Sequence, residues 1–74
     1  MTRWSVVQAY TRRVASSLSR CRVAAGLTVL ELSRRTGIPH KSLSLYEYGT
    51  AWPTTRRLAI IADALRVDLG ELVA

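Results

Sequence analysis

The sequence contains few of the residues that build covalent, metal-held or catalytic scaffolds. Its 74 residues include one cysteine, Cys21, one histidine, His40, and four scattered glycines. One cysteine cannot close an internal disulfide, so a reduced, cytoplasmic setting is expected. A lone histidine and a lone cysteine have no metal-ligand spacing, and the glycines form no phosphate-binding loop, so we expect no metal and no cofactor. Nothing places a nucleophile beside a base, so the sequence indicates no enzyme and no catalytic residue.

Long apolar segments are also absent. The longest, such as residues 58–62, are far too short to span a bilayer, and no membrane association is expected. The first 13 residues lack an uninterrupted apolar core followed by a small-residue cleavage site, so they do not resemble a secretory signal. A chain of this length has room for one small core. We divide it into residues 1–10, an extension of helix 1 or an arm, and residues 11–74, a single domain.

Acidic residues are scarce, and their distribution is uneven. The chain carries 11 basic and 5 acidic side chains, for a net charge of +6, and ten of the basic residues are arginine. Residues 1–57 have a net charge of +8, whereas residues 58–74 have a net charge of −2. Arginine suits contacts with phosphate, so the first three-quarters of the chain would face a polyanion and the tail would point away. Charge alone leaves solvated helix faces as an equal alternative.

Apolar residues recur at helical spacing throughout the chain, and no segment alternates as a strand does. Five helices are predicted, at about residues 6–25, 29–36, 39–48, 54–65 and 69–73. The apolar face predicted for helix 1 comprises Val7, Val14, Leu18, Cys21 and Ala25. Gly26 is expected to end this helix in the left-handed conformation, with Leu27 closing it.

The pattern of residues 28–49 predicts two short helices joined by a tight turn. Thr28 and Glu31 have the spacing of a capping box, which begins helix 2. Gly37 supplies the turn, and Pro39 excludes the preceding residue from the helical region. Helix 3 then runs to Tyr48. This is the helix-turn-helix arrangement, in which the second helix enters the major groove of DNA.

Residues 18–72 resemble the DNA-binding domain of lambdoid phage repressors, Cro proteins and related (XRE-type) bacterial regulators. The resemblance rests on an ordered set of positions, none of them specific alone: Gly26-Leu27-Thr28, Glu31-Leu32-Ser33, Gly37-Ile38, Ser42-Leu43-Ser44, Glu47, Gly49, Pro53, Leu58, Ile61-Ala62, Ala64-Leu65, Val67, Leu69 and Glu71-Leu72. It implies an all-α, five-helix repressor-like domain. Its core would comprise Leu32, Ile38, Leu43, Leu58, Ile61, Leu65 and Leu72. It also implies an ion pair between Arg22 of helix 1 and Glu47 of helix 3.

The same resemblance assigns roles in DNA binding. The base-reading positions of helix 3 correspond to His40, Lys41, Ser44 and Leu45. Lysine can donate to guanine, and leucine can contact a thymine methyl group. Phosphate contacts are expected from flanking groups: Thr28 at the start of helix 2, Arg34, Arg35, Ser42, Arg56 and Arg57. The positive charge of Lys41 at a helix start destabilises the isolated helix, so its presence there indicates an anionic partner.

Several positions depart from the family pattern. Val29 replaces a glutamine that commonly contacts the DNA backbone, Pro39 replaces a serine or threonine cap, and Arg66 replaces a glycine at the end of helix 4. Val29, Leu30 and Leu45 lie at positions that are usually polar. Their patch supports an alternative function, a protein-interaction module of the antitoxin, coactivator or anti-activator type on the same scaffold.

Double-stranded DNA is the expected partner, and the resemblance implies a homodimer that reads two half-sites. Two surfaces are candidates for the dimer contact. One contains Trp52, Pro53 and the C-terminal segment, and the other is the N-terminal extension with Trp4, Val6, Val7 and Tyr10. A simpler expectation for Val7 and Tyr10 is that they cover the groove between helices 1 and 5.

Overall fold

The computed structural model describes residues 3–73, which fold as five α-helices without a strand. The helices are α1 (Arg3–Ala24), α2 (Val29–Thr36), α3 (His40–Tyr48), α4 (Thr55–Leu65) and α5 (Leu69–Val73). The all-α prediction is confirmed, and the bounds of α2 to α5 lie within one residue of those expected from the sequence. Residues 1, 2 and 74 lie outside the described part of the chain.

One hydrophobic core joins all five helices. Helix α1 packs against α3 and α5, α2 packs against α3 and α4, and α4 packs against α5. The side chains with no exposed surface are Leu18, Leu32, Leu43, Ile61 and Leu72, one from each helix. Burying each of these contributes about 1.5–3 kcal/mol against the entropy lost on folding. The core positions that the family resemblance implied are all buried.

The turn between α2 and α3 is held by short-range hydrogen bonds. The hydroxyl of Thr28 accepts from the backbone N–H of Glu31, and the carboxylate of Glu31 accepts from the N–H of Thr28, so the capping box is complete. Gly37 ends α2 in the left-handed region at φ 74°, where a side chain would be strained. Ser33 Oγ donates to the carbonyl of Ile38 at 2.6 Å, which ties the turn back onto α2.

An ion pair connects the last turn of α1 to the last turn of α3. Arg22 donates through Nε to Glu47 Oε2 at 2.7 Å and through Nη2 to Oε1 at 3.0 Å, and its Nη1 donates to the carbonyl of Leu27 at 2.7 Å. The two side chains are 16% and 11% exposed. The hydrogen bond to Glu47 raises the pKa of Arg22. One guanidinium therefore fixes α3, α1 and the loop before α2 in a single bidentate geometry.

The N-terminal part of α1 differs from the sequence-based expectation. The helix begins at Arg3, so the described residues of the N-terminal extension are helical, and residues 3–10 are all exposed. Val7 and Ala25 were placed on the core face, and this is wrong, because both are exposed. The helical periodicity continues into this first part of α1, where the apolar side chains stay exposed. Tyr10 does not cover the α1–α5 groove; its ring stacks on Trp52, with centroids 4.8 Å apart.

Helix α4 ends on a strained residue. Arg66 adopts φ 57° and ψ 43°, and it is the one non-glycine residue with positive φ in the described part of the chain. Its backbone N–H caps the helix by donating to the carbonyls of Ala62 and Asp63. The family pattern places glycine here because the cap needs the left-handed conformation.

We expect Arg66→Gly to raise the free energy of unfolding by about 0.5–1 kcal/mol. Relief of left-handed strain is worth roughly 1–2 kcal/mol, and glycine's extra freedom in the unfolded chain takes back about 0.4–1 kcal/mol. Thermal unfolding measures this as a rise of about 2–8 °C for a domain of this size. Arg66→Ala is the matched control, because it removes the charge and keeps the Cβ atom. An equal rise for the alanine variant would contradict the role of strain.

We expect Arg22→Ala to lower the free energy of unfolding by about 3 kcal/mol, because it leaves a mostly buried Glu47 carboxylate without its partner. The double variant Arg22→Met, Glu47→Leu should recover most of the loss, since it removes both charges and fills their volume. Chemical denaturation of both variants and the wild type measures the difference. A double variant no more stable than Arg22→Ala would show that the unpaired charge is not the cause.

Candidate nucleic-acid interface

Helix α3 presents one polar, exposed face away from the core. Leu43 and Tyr46 are buried, and Glu47 is held by Arg22 on the inner side. Lys41 and Ser44 are three residues apart and therefore lie on the same outward face. His40 and Lys41 are exposed, Ser44 is half-buried, and Leu45 is 40% exposed. All four residues expected to read bases thus lie together on the exposed side of α3.

The N-terminus of α3 has no side-chain cap. Pro39 is the N-cap residue, with φ −54° and ψ 137°, and it offers no acceptor to the first turn. The first intrahelical bond runs from Leu43 N–H to the carbonyl of Pro39 at 3.2 Å. The N–H groups of His40, Lys41 and Ser42 precede that bond, so they need an acceptor from outside the helix. Together with the Lys41 ammonium, they make this end of α3 attractive to an anion.

Helix α2 supplies a second group of cations beside α3. Arg34 and Arg35 lie in its last turn and are exposed. Both lie one turn after Glu31. Hydrogen bonds from the backbone and hydroxyl of Thr28 lower the pKa of Glu31 most, and the charges of Arg35 and Arg34 lower it further. Glu31 is therefore ionised at neutral pH and partly offsets the positive potential of the two arginines.

The start of α2 is a weaker anion site than expected from the sequence. The N–H and hydroxyl of Thr28 are both occupied by Glu31, and the Glu31 carboxylate lies at this helix end. The N–H groups of Val29 and Leu30 still precede the first intrahelical bond. A phosphate approaching here would use these two groups and would lie near a carboxylate.

The two arginines at the start of α4 differ from each other. Arg56 is exposed, whereas Arg57 is half-buried and donates through Nη1 to the hydroxyl of Tyr46 at 2.8 Å. The backbone N–H of Arg57 also bonds to the Thr54 cap. Arg57 therefore braces α4 against α3, and Arg56 is the freer cation.

The apolar patch expected near this face is smaller than the sequence suggested. Leu30 is 49% exposed, and Leu45 is 40% exposed. Val29 is partly buried and packs against the core. The glutamine common at its position is thus replaced by a side chain that turns inward, which leaves Leu30 and Leu45 as the exposed members of the patch.

Tyr48 is an exposed residue on α3 to which sequence reasoning assigned no role. It is 81% exposed and lies four residues after Ser44, at the end of the outward face. Its spacing of seven from Lys41 is the signal that could have identified it. Tyr48 also lines a groove of about 560 Å³ that runs between the first half of α1 and residues 49–52.

Within residues 3–73, no three His, Cys, Asp or Glu side chains cluster as metal ligands would. Over the same residues, each helix is too short or too polar to cross a membrane.

A solved structure with the same fold is that of an HTH_3 family transcriptional regulator from Vibrio cholerae. It superposes with a TM-score of 0.84 at 24% sequence identity, over 89% of this chain and 37% of that chain. The present chain thus spans little more than a third of the length of that regulator. No curated protein gives a match. The helix-turn-helix (HTH_3) family model matches residues 18–72, which include α2, the Gly37 turn and α3. The chain belongs to the helix-turn-helix family.

Proposed function

We propose that the chain is a sequence-specific regulator of transcription that binds double-stranded DNA as a homodimer. The observation that carries the proposal is the outward face of α3, where His40, Lys41, Ser44 and Leu45 are together on a helix fixed by a bidentate ion pair. A helix held in one orientation can present its side chains to base edges with little loss of entropy on binding. Family membership supports the same reading.

Each base-reading residue has a chemical role. Lys41 donates to O6 or N7 of guanine, His40 donates to or accepts from a base edge or a phosphate, and Leu45 packs against a thymine methyl group. Ser44 hydrogen-bonds either base, at a position halfway along the exposed face. Ser42, half-buried beside them, donates to the adjacent phosphate.

The phosphate contacts come from both sides of α3. Arg34 and Arg35 reach the backbone from α2, Arg56 reaches it from α4, and the free N–H groups at the start of α3 add a neutral contact. Thr28 contributes through the helix end that it caps, and Arg57 contributes mainly by positioning α4. The exposed acidic residues Asp63, Asp68 and Glu71 belong to the far end of the chain. Repulsion of these carboxylates from DNA orients the domain with α3 toward the duplex.

The experiment is selection of bound duplexes from a random DNA pool at near-physiological salt. Enrichment of a two-fold symmetric site with half-sites about 10 base pairs apart is the expected result. Binding that enriches no sequence and disappears as salt rises would overturn the proposal, because charge alone would account for it.

We expect Lys41→Ala and Arg56→Ala to act differently on the selected site. Lys41→Ala should cost about 1–3 kcal/mol on that site and relax the base preference under α3. Arg56→Ala should weaken selected and random DNA alike and lower the slope of log affinity against log salt by about 1. Fluorescence anisotropy titrations across a salt series measure both effects. Arg66→Ala, a change in the acidic tail, serves as the control; equal effects of Lys41→Ala on both DNAs would refute its role as a base reader.

A further inference from the structure

We propose that the dimer forms through one surface, made by the first half of α1, the end of α3 and the loop that follows α3. This aromatic surface comprises Trp4, Val7, Tyr10, Tyr48 and Trp52. The inference rests on the proposed function for its choice of partner, a second copy of this chain.

The structure brings Trp52, from one of the two surfaces that the sequence left as alternatives, next to the N-terminal extension, which formed the other. Trp52 lies in the loop after α3, and Tyr10 lies in the second turn of α1, yet their rings stack with an interplanar angle of 23°. Trp4, Val7 and Thr11 recur at spacings of three and four along one side of α1 and line the same groove as Tyr48 and Trp52. Both tryptophans of the chain are therefore on this one surface.

The aromatic surface is a large exposed apolar patch. Tyr48 is 81% exposed, Trp4 67%, Trp52 45% and Tyr10 39%. With about 150–250 Å² for each whole aromatic side chain, their exposed parts supply about 500 Å². Val7 and the polar rim of the groove bring this close to the roughly 800 Å² that each partner contributes to a standard interface. A patch of about 300–600 Å² is the largest that a typical monomer exposes, and such patches are often binding sites.

The groove carries little charge, which favours a protein partner over DNA. Arg12 is the one charged residue among the ten described residues that line it, in a chain with 11 basic side chains. The rest of the rim is neutral, with Gln8, Thr11 and Thr50. A phosphate-binding face would need cations here, whereas depletion of charge with enrichment of Trp and Tyr is typical of the core of a protein interface.

The shape of the surface favours a second copy. Residues 3–10 of α1 are exposed and carry Trp4 near their end, and the groove that could receive such a side chain is on the same face. A protruding side chain and a groove on the same patch suit a two-fold dimer. Each copy would insert its Trp4 into the groove of its partner and receive the partner's Trp4 in its own groove. Eight exposed helical residues also gain support from such a contact, since so short a helical segment is marginal alone.

The surface is continuous with the DNA-reading face. Tyr48 ends the outward face of α3 and also lines the groove. A dimer contact at this point would set the distance between the two copies of α3 directly, with no intervening linker. The spacing of half-sites would then be determined by packing at Tyr48 and Trp52.

The test measures self-association of the full chain without DNA. Sedimentation equilibrium of the wild type should show a dimer at about 100 µM, where an interface of micromolar Kd is populated. Trp4→Ser should weaken the dimer at least about tenfold, the usual loss for an aromatic anchor at an interface centre. Val23→Ser is the matched control, because Val23 is 63% exposed on the same helix and lies outside this groove. Circular dichroism verifies that both variants keep their helices.

Tryptophan fluorescence gives a second readout from the same samples. Both tryptophans should shift to shorter emission wavelength as the wild type associates, and Trp4→Phe should retain the shift of Trp52. A wild type that stays monomeric at about 100 µM, well above a micromolar Kd, would overturn the proposal, as would a Trp4→Ser chain that dimerises like the wild type. If Trp4→Ser abolishes the dimer and the random pool yields no site, the interface stands and the DNA-binding proposal fails. If Trp4→Ser dimerises normally and the pool yields a site, DNA binding stands and this interface is wrong.

Discussion

The ion pair between Arg22 and Glu47 is the constraint on which the arrangement of the other helices depends. It joins the longest helix to the end of α3, and the third donor of the same guanidinium holds the carbonyl of Leu27 just before α2. The burial of Leu43 and Tyr46 turns one side of α3 toward the core. The bidentate pair adds geometric specificity to this packing, because its two parallel hydrogen bonds restrict how α3 can rotate about its axis. The exposed face of α3 therefore points outward because core contacts and the ion pair act together.

Much of this arrangement could be predicted from the sequence because the signals are local. The Thr28–Glu31 spacing, the glycine at position 37 and the Pro39 break each fix one helix end, and the bounds of α2 follow from them. The core positions of α4 and α5 followed from the family resemblance, and all of them are buried. Val7 was placed wrongly because periodicity reports an apolar face and does not report what covers it. The Tyr10–Trp52 stack joins residues distant in the chain, and no local pattern encodes such a contact.

In the candidate interface, too, local sequence patterns predicted some features, whereas contacts between distant residues determined others. Lys41, Ser44 and Leu45 could be placed on the exposed face from their spacing relative to Leu43, which is completely buried. The different situations of Arg56 and Arg57 could not, because two adjacent arginines look alike until one is seen to donate to Tyr46. Val29 likewise looked like an exposed departure from the family, whereas the structure turns it toward the core. Side-chain partners from other helices decided each of these cases.

Two local costs lie at helix ends, one at the start of α3 and one at the end of α4. Pro39 leaves the first N–H groups of α3 without a side-chain acceptor, and Lys41 adds a positive charge at that same end. A serine cap would satisfy one of those groups and stabilise the helix by about 1 kcal/mol. The strain at Arg66 has no such explanation, since it lies at the acidic end of the chain, away from α3. The cost at Pro39 differs because a phosphate would satisfy the same N–H groups and neutralise Lys41, so that binding would recover what the free protein lacks. Under the proposed function, the stability lost at the start of α3 would be recovered in the complex with DNA, whereas a single substitution can recover the stability lost at Arg66.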